Sequence, residues 1–493
     1  MQFLTSTVTT KHGRSVQDIS KRGERMAIQK TISENCYVTK EGVYLFAGEE
    51  LDTTSLMQFI NDNRQRSTKY NHYYDLYSGN HDILRKPRDR FSMRPDNRII
   101  SNWANYVVDT YVGYFIGKPP KIALDDDSTN ERLQDWLNVN SFQDKLSEVA
   151  KQVAIYGRSY MMAYQNENSE TKIAVAAPDS SFMIYDTTIK RNPVAFVRYS
   201  SYNNQLSGEV YTDKEITYFG NDGKVEEQTN HVFGFVPAAE FYANDERLSL
   251  IGKIDTLVEE YDRAISQKAN QVAYFDNAYL KILGIPLPTD DDGKTVLNLE
   301  QDHVLYSPSA DAAQGEVDFI TKPDGDNMQE NMLSRLKDDI FQTAMVANLN
   351  DEAFSGNASG VAIRYKLLSM QNQAAFEDRK FAISLRQLLG TALGLGKAIG
   401  TVSRADVMKD LQIVPARNIP LDVENEAQTA STLSGIVSKE TQLSTLSIVD
   451  DPKKEIERMR EEQAEDVRNN LQAMPSMTDQ QKQDTESDDV NAE

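Results

Sequence analysis

A loop that grips nucleotide phosphates needs glycines to free its backbone N–H groups, then a lysine and a metal-binding hydroxyl. The nearest string, GTALGLGKA at 390–398, has Thr391 where the first glycine belongs and Ala398 where the hydroxyl belongs. The histidines His12, His72, His81, His231 and His303 show no HxxxH or His–Cys spacing, so no zinc pattern is legible. The acidic runs at 125–127 and in TDDDGK at 289–294 lack the ligand spacing and distal glutamate of a calcium loop, and they read as solvated turns. Asp222-Gly223-Lys224 offers a nuclease-like acidic-x-Lys far from any Pro-Asp, and reads instead as a hairpin turn. In GNASG at 356–360 the serine stands one residue away from a nucleophile elbow. Cys36, the single cysteine, has no motif around it and is expected to be a packed thiol; it can form no intramolecular disulfide. The chain therefore predicts no catalytic residue, no metal and no cofactor.

The elements around these strings alternate between helical and strand-like regions. Residues 1–50 have mixed patterning that assigns no element. Asp52 or Thr53 can cap a helix over SLMQFINDNRQR, and Ile99, Trp103, Val107, Thr110 and Tyr114 follow helical spacing until Pro119 and Pro120 stop it. FQDKLSEVAKQVAIYG is amphipathic with a helical period. Between 157 and 242, SYMMAYQ, KIAVAAP, VAFVRYS and EVYTDKEITYFG read as an antiparallel meander, which makes the fold class α+β.

From 247 a helix presents Ile251, Ile254, Val258, Tyr261, Ile265, Val272 and Phe275 as one apolar stripe. Short strand candidates tied by PLPTDDDGK interrupt it over 276–325, and a second helix from about 328 carries Met332, Leu336, Ile340 and Phe341. A third, more than about thirty residues long, presents Ile363, Leu367, Met370, Ala374, Phe381, Leu385, Leu388 and Ala392, with Asp378 the polar member of the face. A solvent-facing helix, DPKKEIERMREEQAEDVRNNL, places Glu455 one turn from Arg458, and the tail from Pro475 has a disordered composition.

At 493 residues the chain suggests about two to four folding units. Its net charge of −22 argues against tight wrapping of DNA, which needs clustered cations to release counterions. The one basic concentration, Arg85, Lys86, Arg88, Arg90, Arg94 and Arg98, is diluted by Asp89 and Asp96 and reads as ion-pairing rather than a nucleic-acid patch. No apolar run approaches the roughly 20 residues of a membrane span, and MQFLTSTVTTKHGR lacks the apolar core of a signal peptide, so a protein that is intracellular or part of something assembled inside a cell is expected. NLNDEAFSGNASG at 348–360 is small and polar, and longer than a simple inter-helix turn requires.

Four strings, in order along residues 70–470, resemble the portal proteins of tailed bacteriophages, the branch typical of long non-contractile tails. YSGNHDIL followed by RPDNRIISNWANYVVDTYVGYFIGKP is similar to the family's N-terminal signature. FGFVPAAEFYANDERLSLIGKIDTLVEEYDRAISQKAN resembles the entry into its first stem helix. SGNASGVAIRYKLLSMQNQAAFEDRKF resembles the loop and helix after the second stem helix, and ARNIPLDVENEAQTASTLSGIVSKETQLSTLSIVDDPKKEIERMREE its crown.

The resemblance implies a non-enzymatic ring of about twelve copies of the chain at one capsid vertex, closed by head-to-tail contacts. Double-stranded viral DNA would pass through it without sequence preference during packaging and ejection. It further implies a portal fold: wing 1–246, first stem helix 247–275, clip 276–326, second stem helix 327–347, tunnel loop 348–358, long helix 359–395, crown 396–474 and tail 475–493. The tunnel-loop residues would be Asn350, Asp351, Glu352, Phe354, Asn357 and Ser359, and the clip would meet partners through Asp290, Asp291, Asp292 and Lys294. The implied partners are the terminase large subunit, a head-completion or tail adaptor, and the major capsid and scaffolding proteins, with no membrane. The location would be the virion, after assembly in the host cytoplasm. The alternatives are a virion-associated hydrolase, a nuclease or glycosidase, or another oligomeric phage ring.

Overall fold

The computed structural model describes residues 28–87, 95–203, 205–275, 280–285, 304–307, 316–319, 326–350, 360–393, 409–418, 423–446, 448–449 and 452–473. The chain divides into two compact units, one of residues 1–352 and 365–418, the other of residues 353–364 and 419–493.

The first unit opens with β1 (Ile28–Ser33), β2 (Cys36–Thr39) and β3 (Tyr44–Phe46), in the region whose sequence assigns no element. Every residue of β2 and β3 is buried, so the two-residue alternation that marks a half-exposed strand is missing from them. They join β7 (Ser181–Asp186), β8 (Pro193–Tyr202), β9 (Gln205–Tyr211), β10 (Glu215–Phe219) and β11 (Val225–Asn230) in one eight-stranded sheet, ordered β1-β2-β3-β7-β8-β9-β10-β11. Only the β3–β7 pairing is parallel among these. Asp222 and Gly223 take positive φ at the β10–β11 turn, as the hairpin reading requires.

Helix α1 (Thr53–Ser78), capped by Asp52, whose side chain accepts the Ser55 N–H at 2.7 Å, covers one face of this sheet. Its Leu56, Phe59 and Ile60 pack with Cys36, Phe182, Ile184 and Val197. Cys36 is fully buried there, a packed thiol as expected. The other face, through Met183, Phe196 and Tyr211, packs on a second sheet of β12 (Ala238–Tyr242), β5 (Arg158–Gln165) and β6 (Thr171–Ala176). Period-two alternation along β7 and β8 sends successive side chains to these two cores.

Helices α2 (Asp82–Arg85), α3 (Trp103–Ile116), α4 (Asp127–Val139) and α5 (Phe142–Tyr156) complete the N-terminal part, with β4 (Lys121–Ala123) pairing with β16 (Gln412–Val414). Asp126, in one of the acidic runs, caps α4 by accepting the Thr129 N–H at 2.9 Å. Its bonds from Thr129 and Ser128 hold its carboxyl down at about 2. Gly157 ends α5 with φ +88°, and a Cβ there would lie 2.0 Å from the Arg247 carbonyl oxygen, so the close approach depends on glycine.

Helices α6 (Leu250–Phe275) and α7 (Asp326–Ala344) flank the three-stranded sheet β14 (Val304–Ser307), β13 (Leu280–Leu283) and β15 (Glu316–Phe319) in the chain. The long segment that follows is broken at Leu367 into α8 (Gly360–Lys366) and α9 (Leu368–Leu393), where one unbroken helix was expected. The apolar face does run on through Met370, Ala374, Phe381, Leu385, Leu388 and Ala392. The second unit contributes α10 (Val423–Thr432), α11 (Lys439–Leu443) and α12 (Pro452–Ala473); α12 is mostly exposed, with Arg458 3.7 Å from Glu455.

Two buried carboxylates in the first unit have opposite environments. Glu240 on β12 lies 3.1 Å from Arg247 and 3.5 Å from Arg158, and accepts the Tyr185 hydroxyl at 2.8 Å. Burial opposes its charge, yet the two guanidiniums outweigh burial and hold its carboxyl down at about 2. Glu377 on α9 is 2% exposed and accepts the Tyr111 hydroxyl of α3 at 2.7 Å. Burial dominates there and pushes it up to about 7, with Asp378 adding to the rise; Tyr111, Lys253 of α6 and Arg417 oppose it.

Replacing Glu240 by Ala leaves two buried arginines uncompensated and is expected to cost about 3–5 kcal/mol in urea unfolding. For Glu377, whose folded value lies above the ordinary carboxylate value of 4.5, the stabilising contribution is full below pH 4.5 and is lost as pH rises through about 7. Glu377→Gln keeps an acceptor for Tyr111, so the variant should match wild type near pH 4.5 and exceed its stability above pH 7. Parallel thermal melts across that range check it.

Candidate functional site

Residue contacts fix the geometry of the α6–α7 pair. Tyr261 and Phe341 both meet Trp103 edge-on, with ring centroids 5.8 and 5.6 Å away, while Lys268 pairs with Glu330 farther along. As residue numbers rise on α6 they fall on α7, so the helices run antiparallel. On α7, Leu333, Leu336, Ile340, Phe341 and Ala344 are buried, whereas Met332, expected on that face, is 43% exposed.

On α6 the expected apolar stripe holds for Ile251, Ile254 and Val258 and then gives way. Val272 is 55% exposed, and the buried positions are Asp262 and Ser266. These polar residues hold an extended backbone segment. Asp262 Oδ1 accepts the Ser101 N–H at 3.0 Å; Ser266 Oγ accepts the Ile99 N–H at 2.9 Å and donates to its carbonyl at 3.0 Å; Asn270 Oδ1 accepts the Asn97 N–H at 2.6 Å. Four helical residues advance about 6.0 Å and two extended residues about 6.6 Å, so acceptors at 262, 266 and 270 match donors at 101, 99 and 97. Residues 97–101, within the stretch RPDNRIIS, are thus non-helical backbone fastened to a helix, and α3 begins only at Trp103.

The other Asp262 carboxylate oxygen pairs with His81 Nδ1, both side chains being 1% exposed, and His81 Nε2 lies 3.0 Å from the Leu76 carbonyl at the end of α1. The hydrogen bond and charge of Asp262 raise the His81 imidazole's affinity for its proton, against burial, which is the largest single influence and lowers it. Sequence spacing concealed this pair because its members lie 181 positions apart. Where the basic segment is described it makes ion pairs: Arg85 with Asp75 and Asp82, and Arg98 with Asp96 at 2.8 Å. Arg88, Arg90 and Arg94 lie outside the described residues.

Beyond α7 the backbone turns through Met345 at φ +58°, and the Val346 N–H donates to the Phe341 carbonyl at 3.1 Å. Val346 and Ala347 are buried, with the Ala347 N–H directed at Met370 Sδ of α9, 3.2 Å away. Asn350 is exposed immediately after this anchored stretch. Asp351, Glu352, Phe354, Asn357 and Ser359 lie outside the described residues, as do Asp290, Asp291, Asp292 and Lys294.

Beside the root of α6 a cleft of about 380 Å³ is lined by Tyr111, Lys253, Gln373, Phe376, Glu377 and Lys380, among others. Lys253 Nζ donates to Gln373 Oε1 at 3.0 Å, and burial lowers its hold on a proton. Lys380 closes one rim on Asp245 at 2.7 Å. Cleft, anchored turn and α6 root are all built by α9 packing across α3, α6 and β12.

The chain is similar to known proteins over most of its length. The portal protein of Bacillus phage SPP1 is 22% identical over 484 residues, spanning 90% of this chain and 92% of the relative. That of Clostridium phage phiCD119 is 24% identical over 394 residues, spanning 73% and 85%. A solved structure titled as the neck of an empty GTA particle computed with C6 symmetry covers 73% of this chain and 94% of its own, at 13% identity and a TM-score of 0.40. The family model described as phage portal protein, SPP1 Gp6-like, matches residues 56–469, and the chain belongs to that family of structural virion proteins.

Proposed function

We propose that the chain assembles with copies of itself into a closed ring at one capsid vertex, the channel for viral DNA entering and leaving the head. Family membership supports the role, and the observation that carries self-assembly is that α9, besides its buried face, exposes large apolar side chains on the opposite side, among Asn372 and Arg379. One side is the buried face through Met370, Ala374, Phe381 and Leu385; on the other, Leu368, Phe376 and Ile383 are exposed by 46%, 64% and 56%. Their spacings of eight and seven residues place them on one stripe, two turns apart each time. Such a stripe suits a head-to-tail neighbour, the contact type that closes into a ring of about twelve subunits.

In this reading 1–246 form the wing, 247–275 and 327–347 the two stem helices, 276–326 the clip, 348–358 a tunnel loop, 359–395 the long helix, 396–474 the crown and 475–493 the tail. The clip would dock the terminase large subunit and then the head-completion or tail adaptor, with Asp290, Asp291, Asp292 and Lys294 on that surface, while capsid and scaffolding proteins surround the ring. Asn350, Asp351, Glu352, Phe354, Asn357 and Ser359 would face the DNA. A net charge of −22 suits a conduit, because acidic walls keep phosphate contacts short-lived. The ring carries no catalytic centre, assembles in the host cytoplasm and stays in the virion.

Two variants separate ring-building from conduction. Deleting 351–358 should leave rings intact while packaged DNA falls, measured as protected genome per particle. The double change Phe376→Glu and Ile383→Glu puts charges in a desolvated contact and should weaken subunit association by about 100-fold, equal to about 3 kcal/mol. Rings lost on loop deletion, or rings unaffected by the double change, contradict the assignment. DNA or cell-wall cleavage by the purified protein, abolished by a carboxylate substitution, would favour the hydrolase alternative.

A further inference from the structure

The fold brings together three side chains that chain order keeps far apart. His72 lies late in α1, Asp82 opens α2 and Glu259 is midway along α6; one ligand atom from each lies within 4.8 Å of the other two. His72 Nε2 is 3.9 Å from Glu259 Oε1.

The charges there are incompletely matched. Arg263, one turn beyond Glu259 on α6, pairs with Glu260 instead, and Arg85 engages Asp82 through Oδ1 while also holding Asp75. Among the described residues the only basic side chain within 4.0 Å of Glu259 is the His72 imidazole. Two carboxylates and an imidazole nitrogen at this range are a ligand set for a dication.

The backbones carrying two of these ligands are fixed by the neighbouring core. His81 immediately precedes Asp82, Asp262 stands one turn beyond Glu259, and the His81–Asp262 pair is buried at 1% exposure on both sides. A concavity of about 190 Å³, lined by Asp82, Glu259, Glu260 and Asp262 together with the basic Lys86 and Arg263, opens beside them, with room for coordinating waters. The ligand side chains are less confined, His72 being 30% and Glu259 42% exposed. Metal–ligand bonds of about 2.0–2.2 Å need the donors drawn in by about 1 Å, which side-chain rotation supplies.

We propose that His72, Asp82 and Glu259 form a binding site for one borderline transition dication per subunit, Zn²⁺ being the type, which clamps α1 and α2 to α6. The imidazole distinguishes it from a magnesium or calcium site, since those ions take oxygen ligands. Water fills the remaining coordination positions.

Calorimetric titration of ZnCl₂ into the EDTA-stripped full chain tests this directly. Expected are one Zn²⁺ per subunit, at least a tenfold loss of affinity in both His72→Ala and Glu259→Gln, an unchanged constant in Glu260→Gln, and no competition from equimolar Mg²⁺. Absence of stoichiometric binding by wild type overturns the proposal, and so does wild-type affinity in either ligand variant or equal competition by Mg²⁺. The readout involves neither ring nor DNA, so it stands or falls apart from the conduit reading.

Discussion

The structure depends on the hydrogen bonds by which Asp262, Ser266 and Asn270 of α6 hold the extended backbone at 97–101. An extended segment laid against a helix exposes N–H groups that have no strand partner, and burying them unpaired would cost roughly 1–3 kcal/mol each. Acceptors every fourth helical residue satisfy donors every second extended residue. The segment so fixed leads straight into Trp103, which meets Tyr261 of α6 and Phe341 of α7. The ladder leads into the Asn102 cap of α3, whose side chain accepts the Asn105 N–H at 3.1 Å, and Trp103 beyond it meets both helices of the antiparallel pair.

Around that root, buried charge separates fixed joints from adjustable ones. Glu240, between Arg158 and Arg247, remains ionised down to about pH 2 and ties β12 to β5, while Ser384 of α9 donates to its backbone carbonyl at 2.6 Å. Glu377, two turns earlier on α9, has burial rather than a tight cation as its dominant influence and titrates near neutrality. The difference lies in partner geometry: two guanidiniums at 3.1 and 3.5 Å against a hydroxyl and more distant cations. The same helix thus has a joint insensitive to pH and one that responds to it.

Much of this was legible in the sequence where a long element buries one continuous face. The Asp52 cap, the apolar start of α6 and the face of α9 all followed from period and turn residues, whereas the single meander expected over 157–242 divides between two sheets, β5 and β6 pairing apart from β7 to β11. Strands β2 and β3 were not legible, because every residue in them is buried and the two-residue period vanishes. The hydrophobic stripe also misled on α6, where Val272 is exposed while Asp262 and Ser266 are buried. Polarity predicts exposure only when no backbone nearby needs partners. The break at Leu367 left no trace, since neither glycine nor proline marks it and the apolar face continues on both sides. The His81–Asp262 pair and the triad of His72, Asp82 and Glu259 are products of tertiary convergence, invisible to spacing along the chain.

Membership of the phage portal family, the acidic chain and the exposed apolar side chains of α9 are the grounds for the proposed DNA conduit made from many copies of one subunit. Electron microscopy of the purified full-length protein at micromolar concentration, with native mass determination of the same sample, tests that claim most directly. The account predicts closed rings with an open centre and a mass equal to an integral number of about 55.7 kDa subunits, near twelve. A species that stays monomeric at every concentration, or that grows into sheets, shells or filaments, would contradict it.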